Sequence, residues 1–417
     1  MPSSVNKGGW VPKLRFPEFR GAGEWEEKRL EDFAIIVRGG SPRPIDEYIT
    51  NDPNGLSWLK IGDIDKESKY VTCTQEKVIP AALNKTRMVS PGDLILSNSM
   101  SFGRPYILEI VTCIHDGWIA VSEIDKSLDR DYLYYLMMTS ASQTYFSNNA
   151  AGSGVQNLNA DIIKLLPVSY PSKKEQQKIA DCLASLDELI TLEAQKLDTL
   201  KTHKKGLMQQ LFPAEGETLP KLRFPEFREA GKWQEKKAGS LFANRVEDGE
   251  EGLPIYSVTM NDGMVKRSSL ERRVDDIAES GGNKKVRKGD IAYNMMRMWQ
   301  GAFGVSKEDC MVSPAYVVLS PESDTYPDFF GYLFKLPKYL QLLTSHSQGL
   351  TLDRLRLYYK DFARIPVLTP SPLEQQRIAD CFASLDDLIT AQAQKLAALK
   401  THKKGLMQQL FPALSET

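Results

Sequence analysis

The chain has 417 residues, a formal net charge of −1, 26% charged and 41% hydrophobic residues. It is too long for one compact core and too balanced in charge for a disordered tail, so two or more folded domains are expected. No run approaches the ~18 consecutive apolar residues of a membrane-spanning helix, and Met1 to Trp10 holds no apolar stretch that reads as a secretory or transit signal, which makes the chain a soluble protein with the cytoplasm its expected location. The five cysteines are an odd number without a CxxC pair, which suits a reducing compartment, and the four histidines are too scattered for a metal cluster, so no metal site is expected.

In chain order, an N-terminal segment (residues 1–23) carries the phrase Pro12-Lys13-Leu14-Arg15-Phe16-Pro17-Glu18-Phe19-Arg20. Residues 24–170 read as a mixed α and β domain. Its strand-like pieces are Asp32–Val37, Leu56–Ile61, Asp93–Ser97, Tyr106–Cys113 and Trp118–Ile124, separated by Gly39-Gly40, Pro42, Asn54-Gly55 and Pro91-Gly92, with a helix over Asp131–Phe146. Residues 171–213 form a long helix. Ile179, Leu183, Leu186, Ile190, Leu197, Leu200, Leu207 and Leu211 fall on one alternating four-then-three stripe, interrupted only by Glu193 and Lys204. No proline interrupts it, Phe212-Pro213 supplies the stop, and at 1.5 Å per residue it spans roughly 55 Å.

A linker and repeated segment follow (residues 214–232), in which Pro220 to Arg228 returns the earlier nine-residue phrase letter for letter. The second mixed domain, residues 233–369, places strands at Ile255–Thr259, Gly289–Tyr293 and Ala315–Leu319, then a helical pattern over Asp328–Leu343 that Pro337 should break or kink. Residues 370–413 repeat the long helix: Glu374 to Ala413 matches Glu175 to Ala214 at 33 of 40 positions. Its stripe is Ile378, Phe382, Leu385, Ile389, Leu396, Leu399, Leu406 and Leu410. The ends of the two halves are near copies, whereas their middles are not.

Connectivity sets the pairing of the helices. The first ends only a short linker before the second globular domain, and the second helix starts from that same domain. To pair the two stripes over most of their length, the second helix must run back along the first. The expected fold class is therefore α+β: two globular mixed α/β domains separated by two long helices in an antiparallel coiled coil, with a pseudo-twofold internal repeat. Lys204 and Lys403 fall on the seam, where a polar residue can fix register.

Enzyme motifs are missing. There is no GxxxxGK(S/T) phosphate loop, no GxGxxG after a strand, no Asn-Pro-Pro-aromatic, no GxSxG elbow, no HExxH and no nuclease triplet after Pro327-Asp328. A non-catalytic protein is expected.

The order of variable domain, long helix, different variable domain and near-identical long helix resembles the specificity (S) subunit of type I restriction-modification enzymes, over nearly the whole chain. Phrases that carry the resemblance are Pro-Lys-Leu-Arg-Phe-Pro-Glu-Phe before each domain, Gly40-Ser41-Pro42 with Trp58-Leu59-Lys60-Ile61-Gly62-Asp63-Ile64 in the first, and Tyr256-Ser257-Val258-Thr259, Gly289-Asp290-Ile291-Ala292-Tyr293-Asn294 and Ser313-Pro314-Ala315-Tyr316 in the second. The Glu-Gln-Gln-Lys/Arg-Ile-Ala opening of each long helix is similar as well. The resemblance implies a restriction-system protein that binds double-stranded DNA, each middle being a target recognition domain for one half of a bipartite site. It implies that two methyltransferase (modification) subunits dock on the helices and that restriction/translocase subunits complete the complex. No cofactor is then expected on this chain, since S-adenosylmethionine, ATP and Mg would belong to the partner subunits. The alternative reading is a coiled-coil scaffold that binds protein or peptide ligands at its two end domains. A hydrolase with a cryptic site is a third class.

Charge does not by itself point to DNA: residues 29–164 hold 13 basic and 17 acidic side chains, so DNA-contacting cations would have to gather on one face. In the first domain the candidates are Arg38 and Arg43 flanking Gly39-Gly40, Lys60, Arg104, and Gln156 in a Gly/Ser-rich loop. In the second they are Arg245, which holds roughly the place of Arg38, Lys284 and Lys285 within a dense cation run, Arg297 beside Trp299, and Gln348 and Arg354. Arginine can fork to guanine and glutamine to adenine, while the competing reading for each is an ordinary solvated side chain or turn.

Overall fold

The computed structural model describes residues 11–65, 67–98, 102–150, 157–260, 262–270, 282–351 and 354–412. The chain divides into two compact units, one made of residues 1–194 with 394–417 and the other of residues 195–393. Each unit therefore combines a globular domain with the beginning of one long helix and the end of the other.

In unit 1, two five-stranded sheets build the globular part. One has the order Ile35–Arg38, Trp118–Ser122, Leu94–Ser97, Pro105–Leu108, Tyr70–Val71, and the other Ile49–Thr50, Glu76–Val78, Leu56–Leu59, Thr112–Ile114, Arg87–Val89. The expected strand over Tyr106–Cys113 is thus two strands in different sheets. The chain turns between them at Glu109-Ile110-Val111, with Val111 left exposed. The expected helix over Asp131–Phe146 is also two helices, Arg130–Met138 and Ser140–Asn149. Thr139 separates them in an extended conformation (ψ 151°), its hydroxyl donating to the Leu136 carbonyl and accepting from the Ser142 N–H. A threonine that satisfies a free N–H in this way starts a new helix more readily than it continues an old one.

Unit 2 repeats the plan with a four-stranded sheet, in the order Phe242–Asn244, Tyr316–Pro321, Ile291–Asn294, Phe303–Val305, together with a hairpin, Tyr256–Thr259 with Gly263–Lys266, and an antiparallel pair, Lys284–Val286 with Cys310–Val312. The helical pattern after it breaks where expected, into Pro327–Leu333 and Pro337–Ser345. In both units the strand that leaves the repeated N-terminal phrase pairs antiparallel with the strand that enters the long helix: Glu26–Arg29 with Pro167–Tyr170, and Gln234–Lys237 with Pro366–Thr369.

The long helices are Lys173–Leu211 and Pro372–Leu410, with no break at Gly206 or Gly405. Their antiparallel course is visible inside each unit. In unit 1 the start of the first helix (Ile179, Ala180, Leu183) and the end of the second (Leu410, Phe411) share one buried cluster with the globular domain. In unit 2 the roles exchange, Leu211 and Phe212 packing with Ile378, Ala379 and Phe382. Ion pairs run the same way, Asp187 with Lys403 and Glu193 with Lys395 in unit 1. The remaining seam residues, Leu186, Ile190, Leu197 and Leu200 on one helix and Leu385, Ile389, Leu396 and Leu399 on the other, are half-buried, as a two-helix seam requires. Both interruptions of the first stripe are paired: Glu193 with Lys395, and the seam residue Lys204 with Asp386.

Candidate nucleic-acid interface

The repeated phrases tie the frame together. The Arg15 guanidinium makes two parallel hydrogen bonds of 2.7 Å to Glu175 in the first turn of the long helix, and also donates to the carbonyls of Ala22 and Gly23. Arg223 makes the equivalent fork to Glu374 at 2.7 and 2.6 Å. The next residue of each helix, Gln176 or Gln375, is buried and binds backbone of the globular domain: Gln176 accepts from the Asp129 N–H and donates to Ser127 and Pro171 carbonyls, and Gln375 accepts from the Tyr326 N–H. The letter-for-letter repeats thus hold each globular domain on its helices, which leaves the loops between the sheets free to differ.

In unit 1 those loops bring three of the candidate residues together. Asp116, in the turn between strands Thr112–Ile114 and Trp118–Ser122, is the hub. Its carbonyl accepts from Arg38 Nε at 2.7 Å, and its carboxylate accepts from the Ser41 hydroxyl at 2.8 Å and from Arg43 Nη2 at 3.3 Å. The Ser41 bond, with help from the charges of Arg38 and Arg43, holds this carboxyl below the usual range, while burial pushes the neighbouring His115 imidazole down. Gly39 is needed here, because a Cβ on it would lie 2.1 Å from the His115 carbonyl oxygen. Arg43, Lys60 and His115 line a hollow of about 310 Å³ with Ser41, Pro42, Ile45 and Trp58. Its floor is apolar and its rim cationic, Arg43 being 81% exposed and Lys60 paired with Glu76.

Arg104 is not part of that group. It lies half-buried over the Tyr106 ring at 5.6 Å, its Nη2 3.4 Å from the Ser68 carbonyl, so packing accounts for its position. Gln156 lies outside the described residues.

In unit 2 the expected equivalence of Arg245 with Arg38 is off by one strand position. Arg38 faces Ile119 across the sheet, whereas Arg245 donates its backbone N–H to Val318, which holds the place of Ala120 when the shared Gly-Asp turns at Gly92 and Gly289 are aligned. A shift of one residue turns a side chain to the other face of a sheet. Arg245 accordingly corresponds to Val37 and points inward, donating to Asp290, Glu247 and Ser320, with its side chain only 15% exposed. Lys284 is likewise turned in, donating to the Tyr316 carbonyl at 2.7 Å, and Lys285 pairs with Glu250. Lys284 and Lys285 are therefore both bound within their own fold.

The other unit 2 candidates do converge. Arg297 is exposed at the start of the short turn Met298–Gln300, where Trp299 donates its indole N–H to the Met296 carbonyl. The Met295 carbonyl accepts from the Leu357 N–H, which brings this turn beside the stretch Arg354–Leu357. That stretch alternates exposed Arg354 and Arg356 with buried Leu355 and Leu357, and Arg356 exchanges two backbone hydrogen bonds with Gln348. Arg297, Gln348 and Arg354 thus form one edge, together with Arg356, which the sequence reading missed although the period-two alternation from Arg354 to Leu357 could have shown it. The Gln348 amide, an expected base reader, donates to Asp361 at 2.7 Å.

Comparison with known proteins bears on both halves. The family profile for the type I restriction modification DNA specificity domain matches twice, over residues 22–202 and 226–401. The type I restriction enzyme MjaVIII specificity subunit of Methanocaldococcus jannaschii is 24% identical, over 95% of this chain and 93% of the relative. Among solved structures, the type I restriction-modification system S subunit of M. genitalium aligns with a TM-score of 0.58 at 16% identity, over 97% of this chain and 100% of the other. A chain from a study of complex assembly and conformational transition of the type I R-M system aligns at 0.56 with 15% identity, over 94% and 98%.

Proposed function

The chain belongs to the type I restriction modification DNA specificity family, and from that premise we propose that it is the sequence-reading subunit of a type I complex, with one half of a bipartite DNA site recognised by each unit. The observation that supports this most is the unit 2 edge. Arg297, Arg354 and Arg356 stand exposed there, with no side-chain acidic partner among the described residues. Exposed guanidinium groups without an acidic partner suit a polyanion. In unit 1 the Arg43 and Lys60 rim would take the phosphates.

The chain is a recognition component, and methylation and ATP-dependent cleavage would reside in partner subunits, along with S-adenosylmethionine, ATP and Mg. Two modification subunits would dock on the long helices. Supporting this, Leu189 and its repeat Leu388 are 39% and 55% exposed, off the seam, so that the same apolar position is offered twice. Among the described residues no helix is long and apolar enough to cross a membrane, and a DNA-reading role would suit the cytoplasm. Co-expression with its modification subunits and sequencing of methylated adenines tests the reading: a bipartite methylated site supports it, and methylation without sequence preference contradicts it.

A further inference from the structure

Arg38 and Arg43 meet the same turn but are held in different ways. Arg43 touches the Asp116 carboxylate through Nη2 at 3.3 Å, and its side chain is 81% exposed. Arg38, also exposed, is anchored through Nε, which donates to the Asp116 carbonyl at 2.7 Å. Among the described residues no acceptor meets its Nη1 or Nη2. The anchor is itself fastened from the ends of both neighbouring strands. The Asp116 carbonyl also accepts from Nδ2 of the buried Asn98 at 3.2 Å, and the Asn98 N–H donates to the Gly117 carbonyl at 3.0 Å. On the other side the Gly39 N–H donates to the Trp118 carbonyl at 2.8 Å, and the Gly40 N–H to the Ile114 carbonyl at 3.2 Å. Ser41 closes the knot, accepting from the Asp116 N–H at 3.2 Å and donating to the Asp116 carboxylate at 2.8 Å.

An arginine held at Nε by a fixed carbonyl keeps the orientation of its guanidinium plane and offers a pair of donors from the terminal nitrogens. A phosphate needs only a nearby charge, which the loosely held Arg43 supplies. A planar, oriented pair of donors suits two adjacent acceptors, and in the major groove guanine alone presents them, O6 beside N7. Adenine puts a donor beside N7, cytosine offers a donor and thymine a single acceptor with a methyl group. Fixing the side chain in advance also lowers the entropy lost on binding. Since Arg245 corresponds to Val37, the place of Arg38 in unit 2 falls to Val246, which is 77% exposed. The position is thus presented to solvent in both units with different side chains. We propose that Arg38 reads a guanine in the half-site recognised by unit 1, forking to O6 and N7, with the Asp116 carbonyl as its positioning group. The proposal rests on the DNA-reading function above and deepens it to one residue and one base.

The test uses the complex of this chain with its modification subunits and duplexes carrying the methylated site. The unit 1 half is the half that changes when residues 24–170 are exchanged, and each guanine in it is replaced in turn by 7-deazaguanine, which lacks the N7 acceptor. One guanine is expected to lower the affinity of the wild-type complex by about fivefold or more when so replaced. Arg38→Ala is expected to weaken binding to the unmodified site by about 5- to 150-fold, the scale of one bidentate pair, and to abolish the response at that guanine while responses elsewhere persist. Arg38→Gln is expected to abolish the same response, so that a loss of fold in one variant does not decide the outcome. A unit 1 half-site without guanine, or a set of 7-deazaguanine responses unchanged in both variants, overturns the proposal. So does an affinity loss that is uniform across sequences and lowers the salt slope by about 1, since that outcome assigns Arg38 to a phosphate. Binding and methylation without sequence preference in the wild-type complex would instead bring down the DNA-reading function itself.

Discussion

The Tyr135 hydroxyl donates to Asp187 at 2.8 Å, and the same bond recurs between Tyr332 and Asp386 at 2.8 Å. In each unit the tyrosine comes from the globular domain and the aspartate from the helix that leaves it. The other oxygen of each aspartate takes a lysine from the returning helix, Lys403 in unit 1 and Lys204 in unit 2. One carboxylate therefore fixes a domain and two helices together. Burial, together with the aspartate, raises the pKa of both tyrosines, which favours the protonated, donating hydroxyl.

Removing the hub should cost more than removing either arm. Tyr135→Phe is expected to lower stability by about 1 kcal/mol, the usual net value of a hydrogen bond. Asp187→Ala is expected to cost about 2–3 kcal/mol, because it also strands the Lys403 ammonium. Urea unfolding of the full chain followed by hydrogen exchange in unit 1 measures both, and equal effects of the two substitutions would be inconsistent with a shared hub.

The forks between Arg15 and Glu175 and between Arg223 and Glu374 are nearly buried, each glutamate side chain being 1% exposed. Arg15→Ala leaves a carboxylate in the interior without its partner and should cost about 3–5 kcal/mol. Adding Glu175→Leu to Arg15→Ala should recover much of that loss, which a double-mutant cycle in thermal unfolding would reveal.

The cations fall into two groups with different expected consequences. Arg43→Ala, Arg297→Ala and Arg356→Ala should each weaken DNA binding and reduce the slope of log affinity against log salt by about 1 for each phosphate that is no longer neutralised. Arg245→Ala removes the partner of buried Asp290 and should destabilise unit 2 instead. If Arg245→Ala left stability untouched but lowered the salt slope, its inward placement would be wrong.

Stability of unit 1 should depend on pH through Asp116 and His115. Both have folded-state pKa values below their unfolded ones, so both contribute stability that is fully present above the unfolded values and is lost as pH falls through the folded ones. Lowering the pH from 7 should weaken unit 1 first through His115, whose unfolded pKa is about 6.5, and then further as Asp116 protonates. Asp116→Asn should remove the lower-pH part of this loss, as read from thermal unfolding at stepped pH.

The architecture was legible in the sequence because it is written in repetition and period. The four-then-three stripe located both helices and their seam, and the short linker after Pro213 gave their antiparallel course. Pro337 marked its break, yet the equivalent break at Thr139 was invisible, because threonine interrupts a helix only when its hydroxyl captures a nearby N–H. The site was less legible. Arg38 and Arg43 were singled out through the Gly39-Gly40 turn they flank, and the structure joins both to Asp116; Arg245 turns inward instead, because one residue of strand register decides which face a side chain meets, and sequence spacing does not resolve that. The aspartate hubs were not singled out: Asp187 and Asp386 lie off the leucine stripe, and the sequence does not mark the domain tyrosines they meet.

The central claim is that the two units read DNA independently on a common frame. Replacing residues 24–170 with the corresponding domain of another specificity subunit, leaving the repeated phrases and both helices intact, and mapping methylated adenines in DNA modified by the complex tests it most directly. One half of the bipartite site should change while the other keeps its sequence. A change in both halves, or in neither, would contradict the account.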